Sequence, residues 1–405
     1  MVNAAFVAPL LRQNTTRFIR AFAELPGVRL GVITMDDPAT LDARLRERIA
    51  AFVRVGNPMD PEHIARAGWE LKNRLGGLDV LTGSLEELQI PVAIARDRLG
   101  LPGISERVAR NFREKSRMKQ VLRGAGLPVA RHALVTGLDD ARRFVGEVGY
   151  PIVAKPPAGL GARATFRVND DDALIAALRS LEAAPESPVQ CEEFIVAREN
   201  TCETVMIRGE AVWRSGTHYM NAPLEVLENA WMQYCVLLPR EEEPEFTRFH
   251  AVNDAALQAL GLETGLAHLE WFVRPDGRPV INEVGARPPG VNIMPLMSIV
   301  FDVDMVSKWA ELMTFGRFTP PQRRCAAGTA FFRGVGSGRV VAVHGLDQAQ
   351  EEVGRYVVAR KLPEIGQEKS TSYEGEGWAI VKADDTPTAI HALQRLITLV
   401  RVEYA

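Results

Sequence analysis

The chain has 405 residues, of which 46% are hydrophobic and 24% are charged, and its formal net charge is −3 at pH 7. These values are typical of a globular protein of two or three domains, and the net charge gives no electrostatic reason to expect nucleic acid or an anionic membrane as a partner. The four cysteines form no CxxC pair and the seven histidines are scattered, so we expect neither a zinc site nor a disulfide framework. No apolar run reaches the length of a membrane span, and we expect a cytoplasmic protein.

Short apolar runs alternate with amphipathic stretches from the start to about residue 105. The runs include AAFVAPL, VRLGVIT and LDVLTG. This alternation predicts a parallel sheet with helices on its faces. Asp60 before Pro61 predicts a helix start, and Ser84 with Glu87 has the spacing of a capping box. No GxGxxG motif follows the first strand, so a dinucleotide site there is weakly supported.

Lysine is scarce in this chain, with eight residues among 48 basic ones. We predict a helix from about Phe112 to Arg123, and Lys115 on that helix is by itself typical of a solvated residue. Lys155 ends the apolar strand PIVAK, where a surface residue is less expected. A compact charge with rotatable donors at that point is well placed to hold phosphate oxygens.

A glycine-rich stretch, PPAGLGARATFRVND, follows Lys155. Gly159, Gly161 and Ala164 satisfy a GxGxx[GA] spacing, but a Rossmann turn would then open a helix, whereas TFRV favours an extended chain. We therefore predict a glycine loop between antiparallel strands, whose backbone N–H groups can lie over phosphates as a flexible lid. The alternative is an ordinary glycine-rich turn.

Residues 189–213 predict a strand, a break, and a hairpin that turns at Arg208-Gly209. The segment EEFI mixes hydrogen-bond acceptors with apolar residues, which suits an adenine edge in an apolar slot. Glu203 lies on the same strand face as Glu199. We interpret Glu203 as a packing or rim residue, with a supporting role behind a ligand as the alternative.

The stretch HLEWFVRPDGRPVINEV predicts a β-hairpin, because two apolar runs flank the turn-forming RPDG. If Val273 faces Val280, Glu270 stands directly opposite Glu283. Two carboxylates about 5 Å apart repel by about 3 kcal/mol at an effective dielectric constant of about 20, so a neutralising group is expected. Mg²⁺, bound through carboxylates and nucleotide phosphates, would be such a group. The alternative is a pair of exposed rim glutamates.

Taken in order, these motifs resemble the ATP-grasp superfamily, and specifically its carboxylate–amine ligases. Within that group the sequence is similar to L-amino acid ligases. The resemblance covers about residues 105 to 315 in four motifs: EKSRMKQVLRGAGLPVAR, PIVAKPPAGLGA, QCEEFIVARENTCE and the hairpin. It implies an ATP-grasp fold of the α/β class with an α+β central part. The implied domains are a Rossmann-like pre-ATP-grasp domain (1–105), an ATP-grasp core (106–315) with a lid at about 130–190, and a C-terminal α+β substrate-side region (316–405).

The resemblance also implies which residues bind ATP. They come from the first three motifs: Lys115, Lys155, Gly159, Gly161, Glu192, Glu193, Phe194, Ile195 and Glu199. In this set the lysines and glycines match the phosphate contacts, and Glu192 matches the acidic residue near the adenine amino group. The hinge corresponds to 193–195, and Glu199 matches the carboxylate on the ribose.

The implied reaction activates a carboxylate, from an amino acid or a peptide-like molecule, as an acyl phosphate. An amine then attacks, and an amide, ADP and phosphate are formed. By the same resemblance Glu270 and Glu283 would bind Mg²⁺ or Mn²⁺, and Arg287 with Lys155 would be the catalytic residues. The sequence departs from the family pattern at Gly285, where many relatives carry asparagine, and at Arg163 in the glycine loop.

Two alternative functions stay open at this point. A biotin-carboxylase-like or purine-biosynthetic ATP-grasp ligase would share the fold, and the run GTAFFRGVGSGRVVAVHGLD is compatible with it. An ATP-binding sensor without turnover is disfavoured by the presence of Glu270, Glu283 and Arg287, since binding alone needs no transition-state arginine. For any of these enzymes the partners are small molecules, and a homodimer is a common assembly.

Overall fold

The structure is a computed structural model that describes residues 1–157, 164–229 and 232–405. Gly159, Gly161 and Arg163 of the glycine loop therefore lie outside the described residues. Among the helices that the structure describes, none combines the length and the apolar character needed to span a bilayer.

The N-terminal region alternates strands with helices. In chain order these are β1 Val2–Val7, α1 Gln13–Glu24, β2 Val28–Thr34, α2 Ala43–Glu47, β3 Ala51–Arg54, α3 Pro61–Leu75, β4 Val80–Thr82 and α4 Gln89–Leu99. The strands form a parallel sheet in the order β3-β2-β1-β4, which confirms the predicted parallel arrangement. Asp60 caps α3, as predicted, by accepting a hydrogen bond from the N–H of Glu62.

The capping box predicted at Ser84 is wrong. The chain makes a short 3-10 turn over Glu86–Leu88, whose N-cap residue is Leu85 and which has no side-chain cap. The turn starts one residue later than predicted, so Ser84 is not its N-cap and Glu87 is not three residues after the cap. The neighbouring Glu86 forms ion pairs with Arg113 and Arg287.

Two helices, α5 Glu106–Arg113 and α6 Lys115–Gly124, connect the N-terminal region to the rest of the chain. The single helix predicted from Phe112 to Arg123 is therefore wrong at its start. The helical path breaks at Glu114, whose backbone is extended, and the N–H of Lys115 bonds instead to the carbonyl of Pro157 at 3.1 Å. This tertiary contact makes Lys115 the first residue of a helix.

A small antiparallel sheet follows. Its elements are β5 His132–Val135, α7 Leu138–Val148, β6 Ile152–Lys155, β7 Phe166–Val168, α8 Asp171–Ser180 and β8 Val189–Glu193. The strand order is β5-β8-β6-β7, and we call this unit the lid sheet. β6 and β7, which flank the glycine loop, pair antiparallel as predicted. Lys155 is the last residue of β6.

The remaining elements include the strands of a large sheet, which runs from the centre of the chain into its C-terminal region. They are β9 Arg198–Ile207, β10 Glu210–Tyr219, α9 Pro223–Glu228, β11 Tyr234–Leu238, α10 Pro244–Leu260, β12 Gly265–Val273, β13 Pro279–Gly285, α11 Ile293–Phe301, α12 Met305–Phe315, β14 Ala326–Phe332, β15 Val340–His344, α13 Leu346–Val353, β16 Val357–Lys361, β17 Gly377–Ala383, α14 Thr386–Leu399 and β18 Arg401–Tyr404.

The order of the eight-stranded sheet is β13-β12-β9-β10-β11-β14-β17-β16, while β15 and β18 pair separately. The C-terminal strands thus extend the same sheet that carries the hairpin. Apolar helices cover it, and one core centres on Trp271, whose ring stacks on Phe249 at 3.9 Å between centroids. The predicted boundaries at 105 and 315 stay a prediction.

The hairpin of β12 and β13 forms as predicted, and Glu270 is paired with Glu283. The premise that Val273 faces Val280 is wrong, because Val273 is paired with Pro279. An irregularity between Glu270 and Trp271 leaves Asn282 as an extra residue on β13, and this bulge restores the predicted pairing beyond it. The bulge turns Asn282 toward β9, where its amide donates to Glu199 at 3.1 Å.

Candidate active site

A cavity of about 770 Å³ is lined by both the lid sheet and the large sheet. All the predicted site residues that the structure describes line this cavity: Lys115, Lys155, Glu192, Glu193, Phe194, Ile195, Glu199, Glu270, Glu283 and Arg287. Residues from the N-terminal and C-terminal regions, Glu86 and Tyr373, complete the wall. The fold therefore brings the four motifs to one place, and their individual roles stay predictions.

The two predicted ATP lysines are buried beside carboxylates. Lys115 pairs with Glu283, and Lys155 Nζ lies 3.0 Å from Glu192 Oε1. Burial lowers the pKa of Lys155, but Glu192 and Glu283 outweigh that effect and leave this pKa raised. Both lysines line the same cavity, Lys115 from α6 and Lys155 from the lid sheet, and ammonium groups so placed suit phosphate oxygens.

Glu192 has more charged and polar partners than its predicted position beside the adenine amino group implies. It is nearly inaccessible, and it receives Lys119 Nζ at 3.1 Å in addition to Lys155 and the amide of Gln190. Burial raises the pKa of Glu192, but the two lysines dominate and hold it well below its usual range. Sequence reasoning missed Lys119, although its place four residues after Lys115 on one helix was a usable signal.

The hinge segment borders a small apolar slot. Ile195 packs with Ala130 and Val280, and Phe272 joins this cluster from β12. Glu193 also lines the cavity and accepts a hydrogen bond from Arg131 at 2.9 Å. The slot has the apolar walls and nearby backbone groups that a flat heteroaromatic ring requires.

Three carboxylates crowd the opposite side of the cavity. Burial raises the pKa of Glu199 to about 8, and the neighbouring Glu270 adds to the shift. Burial also raises the pKa of Glu283, but Lys115 and Lys155 outweigh it and keep that pKa lowered. Tyr219 donates its hydroxyl to Glu270 Oε1 at 3.2 Å. Repulsion among these carboxylates is therefore expressed at Glu199, whereas Lys115 and Lys155 stabilise the anion of Glu283. The predicted repulsion between Glu270 and Glu283 themselves stays a prediction.

This crowding predicts a pH effect on stability. The folded protein keeps Glu199 protonated up to about pH 8, while an unfolded glutamate ionises near its ordinary pKa of 4.5. Stability is therefore lost as pH rises through this window. We expect Glu199→Gln to unfold at a higher temperature than wild type at pH 9 and to differ much less at pH 5, in thermal melts without nucleotide. A parallel shift at both pH values would contradict this explanation.

Glu203 is neither at the rim nor among apolar side chains only. It is fully buried and accepts hydrogen bonds from Thr201 and Thr217 at 2.8 and 3.0 Å. His268 Nδ1 lies 2.8 Å from Glu203, and its Nε2 lies 3.6 Å from Glu270. Burial lowers the pKa of His268, but the two carboxylates raise it to about 9. The alternative interpretation of Glu203, as support behind a ligand, is the one that this geometry favours.

Arg287 lies at the end of β13 and is held by Glu86, which sequence reasoning did not select. Its Nε and Nη2 donate to Glu86 Oε2 at 3.0 and 2.6 Å, and Arg113 approaches Glu86 Oε1 at 3.3 Å. Glu86 precedes Arg287 by 201 residues. The contact fixes the guanidinium at the end of the cavity that Gly285 and Tyr373 also line.

The carboxylates fit a hard divalent cation that shares its ligands with a nucleotide. Within the described ranges no group of three or more His, Cys, Asp or Glu side chains forms a complete cage. Glu270 and Glu283 are nevertheless paired across two strands and supply oxygen ligands. Mg²⁺ usually binds proteins through one or two carboxylates and completes its coordination with phosphates and water. The donor set therefore suits Mg²⁺ bound together with phosphate.

The chain is similar in sequence to known ligases. The alanine–anticapsin ligase of Bacillus subtilis (strain 168) is 27% identical over 270 residues, which is 60% of this chain and 55% of that protein. The carbamoyl phosphate synthase large chain of Methanothermobacter thermautotrophicus is 25% identical over 248 residues, again 60% of this chain but 23% of that protein. The chain thus matches about half or less of these relatives. No protein-family model matches it.

Solved structures agree over the whole chain. The L-amino acid ligase from Bacillus licheniformis superposes with a TM-score of 0.79 at 19% identity, covering 100% of this chain and 99% of that one. The biotin carboxylase domain dimer of the Hydrogenobacter thermophilus 2-oxoglutarate carboxylase, a complex with MgADP, ADP and bicarbonate, gives 0.68 at 17% identity and covers 99% and 90%. The chain therefore has the ATP-grasp fold that these ligases share.

Proposed function

We propose that this protein is an ATP-dependent carboxylate–amine ligase, which joins an amino acid or a peptide-like carboxylate to an amine. The observation that carries the proposal is the meeting of two lysines, the paired Glu270 and Glu283, and Arg287 in one cavity. Phosphoryl transfer needs positioning and charge stabilisation rather than a protein nucleophile, and this set of residues supplies both. The similarity to alanine–anticapsin ligase and to an L-amino acid ligase supports the same reaction.

In the proposed reaction a carboxylate oxygen attacks the γ-phosphorus of ATP, the bond to the bridging oxygen breaks, and ADP leaves. The amine nitrogen then attacks the acyl carbon, phosphate leaves with its electron pair, and the amine loses a proton. Lys115 and Lys155 hold the phosphate oxygens. Arg287, fixed by Glu86, donates to the oxygens that gain charge.

Glu270 and Glu283 would hold Mg²⁺, or Mn²⁺, which would neutralise the charge of the phosphates. Lys115 pairs with Glu283 in the structure, so its ammonium must exchange that carboxylate for phosphate as nucleotide and metal enter. Tyr219 and His268 stay on Glu270 and limit its rotation. The protein therefore presents preset charges of both signs to the reacting groups.

The substrates would lie at the Arg287 end of the cavity. Tyr219, Tyr373 and Val291 give this end an apolar wall, while Glu86 and Arg287 provide charges of opposite sign. A molecule with a carboxylate, an amine and a modest apolar side chain matches these surfaces. We place the reaction in the cytoplasm, since all four cysteines are free thiols. A homodimer is part of the proposal, and the biotin carboxylase neighbour was crystallised as a dimer.

The test is release of ADP and phosphate from Mg-ATP with a panel of amino-acid pairs and with bicarbonate. We expect release that requires a carboxylate and an amine together and that disappears in Glu283→Gln. Release that needs bicarbonate instead would favour the biotin-carboxylase-like or purine-biosynthetic ligase. Nucleotide binding without release under any mixture would favour the sensor and contradict the proposal.

A further inference from the structure

Lys119 is a buried lysine that the reaction described above does not use. It lies on α6 one turn after Lys115, and its side chain is 1% exposed. Its ammonium does not line the cavity. Within the part of the chain that the structure describes, the charged partner it reaches is Glu192, at 3.1 Å, and the ammonium finds no well-aligned hydrogen-bond acceptor. Burying an ammonium group without a well-aligned acceptor costs free energy. We therefore expect Lys119 to have a function that offsets this cost.

The charges around Lys119 do not cancel. Glu192 carries one negative charge and is shared between Lys119, on Oε2, and Lys155, on Oε1. All three side chains are buried, and burial lowers the pKa of Lys119, which acts against its charged form. When all three are ionised they leave one positive charge in excess. Glu283, the next carboxylate to act on both lysines, already pairs with Lys115. Of the two lysines, Lys155 lines the cavity. An anion that balances the excess charge must therefore approach Lys155 from the cavity.

Removing Lys119 would weaken the attraction between Lys155 and a phosphate oxygen. Glu192 would then pair with Lys155 alone, and the buried pair would be neutral. The ammonium of Lys155 would be drawn to Glu192 and would have less attraction for a phosphate oxygen. Glu192 would also lose the ion-pair partner of its second oxygen, so its carboxylate could rotate.

We propose that Lys119 is a positioning residue for the nucleotide, which acts through Glu192 by occupying one of its oxygens and thereby leaving Lys155 an uncompensated charge for phosphate. This inference rests on the proposed function, because it takes the ligand of the cavity to be a nucleotide. A purely structural ion pair between α6 and β8 is the alternative, and it would affect stability without affecting nucleotide affinity.

The experiment measures the dissociation constant of Mg-ADP by calorimetry, together with the melting temperature of each protein. The variants are K119M, which keeps length and apolar stem, K119R, E192Q, and K119M/E192Q. K72M is the matched control, because Lys72 lies on the exposed side of α3 over the Trp69 ring. Comparing K119M in the two backgrounds shows whether Lys119 acts through Glu192.

We expect K119M to weaken Mg-ADP binding by about tenfold, the loss typical of one charge-assisted contact, and K119R and K72M to stay within about threefold of wild type. In the E192Q background we expect K119M to cause no further weakening. Unchanged affinity of folded K119M would overturn the inference in favour of a structural pair. Equal weakening in both backgrounds would also overturn it, because Lys119 would then act without Glu192.

If K119M does not fold, E192Q and K119M/E192Q still decide the matter, since weaker binding by the double variant than by E192Q contradicts the proposed route. Failure of the proposed function gives a different result. Wild-type protein would then not bind Mg-ADP at all, whereas failure of this inference alone leaves wild-type binding intact.

Discussion

Glu283→Gln is expected to lower kcat by about 10³-fold while the protein stays folded, because it removes the charge from one of two carboxylates that would hold the metal. Glutamine keeps the size of the side chain and its place on β13. It also removes the ion-pair partner of Lys115. The variant should need a higher Mg²⁺ concentration for its residual activity, since one anionic ligand is lost. Initial rates over a range of Mg²⁺ concentrations measure both effects.

The matched control for this variant is Glu225→Gln, because Glu225 lines the same cavity but is exposed and lies on α9. We expect it to keep activity within about threefold, as usual for a solvated carboxylate. If the Glu283 variant also kept nearly full activity at low Mg²⁺, the paired glutamates would not be the metal site.

Arg287→Lys should lower kcat by about 10² to 10³-fold with little change in the KM for ATP. Lysine keeps the positive charge but loses the planar fork that donates in two directions. In the structure two nitrogens of Arg287 donate to Glu86 Oε2 and the third donates to the carbonyl of Pro288, while the side chain lines the cavity. Lysine could not make all of these contacts. Steady-state kinetics with ATP varied and the other substrates saturating separate the two parameters.

Arg274→Lys is the control for Arg287, because Arg274 lines the hinge side of the same cavity and contacts Glu193 at 3.4 Å. Its effect on kcat should be small. A large increase in the KM for ATP with unchanged kcat in Arg287→Lys would show that Arg287 binds nucleotide in the ground state rather than stabilising charge during transfer.

The hairpin shows which structural features local sequence patterns can predict. The predicted pairing of Glu270 with Glu283 is present, but the register assumed at the turn is displaced by one residue. The bulge at Asn282 compensates for that displacement. Alternating apolar residues report which face is buried, whereas a bulge depends on contacts across several strands. The sequence could therefore predict the pair but not the residue that links it to Glu199.

Contacts between residues far apart in the sequence could not be predicted, because local patterns carry no information about them. Glu86 meets Arg287 across 201 residues, and a local capping pattern pointed to a different role for this region. The break at Glu114 has no glycine or proline to mark it and follows from the contact of Lys115 with Pro157. By contrast, helical spacing could have linked Lys119 to Lys115.

Periodic patterns predicted parts of the architecture, whereas the ATP-grasp fold itself was implied by the resemblance of the four motifs. Alternating strands and helices gave the parallel sheet of the N-terminal region, and the extended pattern after the glycine stretch gave the antiparallel pairing of β6 with β7. The continuity of the large sheet into the C-terminal region was not predictable, since it depends on β11 pairing with β14 across a long connection.

The most direct test of the central claim follows the oxygen of the carboxylate. With a substrate pair that supports turnover, the carboxylate is labelled with ¹⁸O and the released phosphate is analysed by mass spectrometry. Acyl-phosphate formation predicts transfer of one labelled oxygen to phosphate for each amide formed. Label in AMP, or amide formation with unlabelled phosphate, would contradict the proposed activation of the carboxylate.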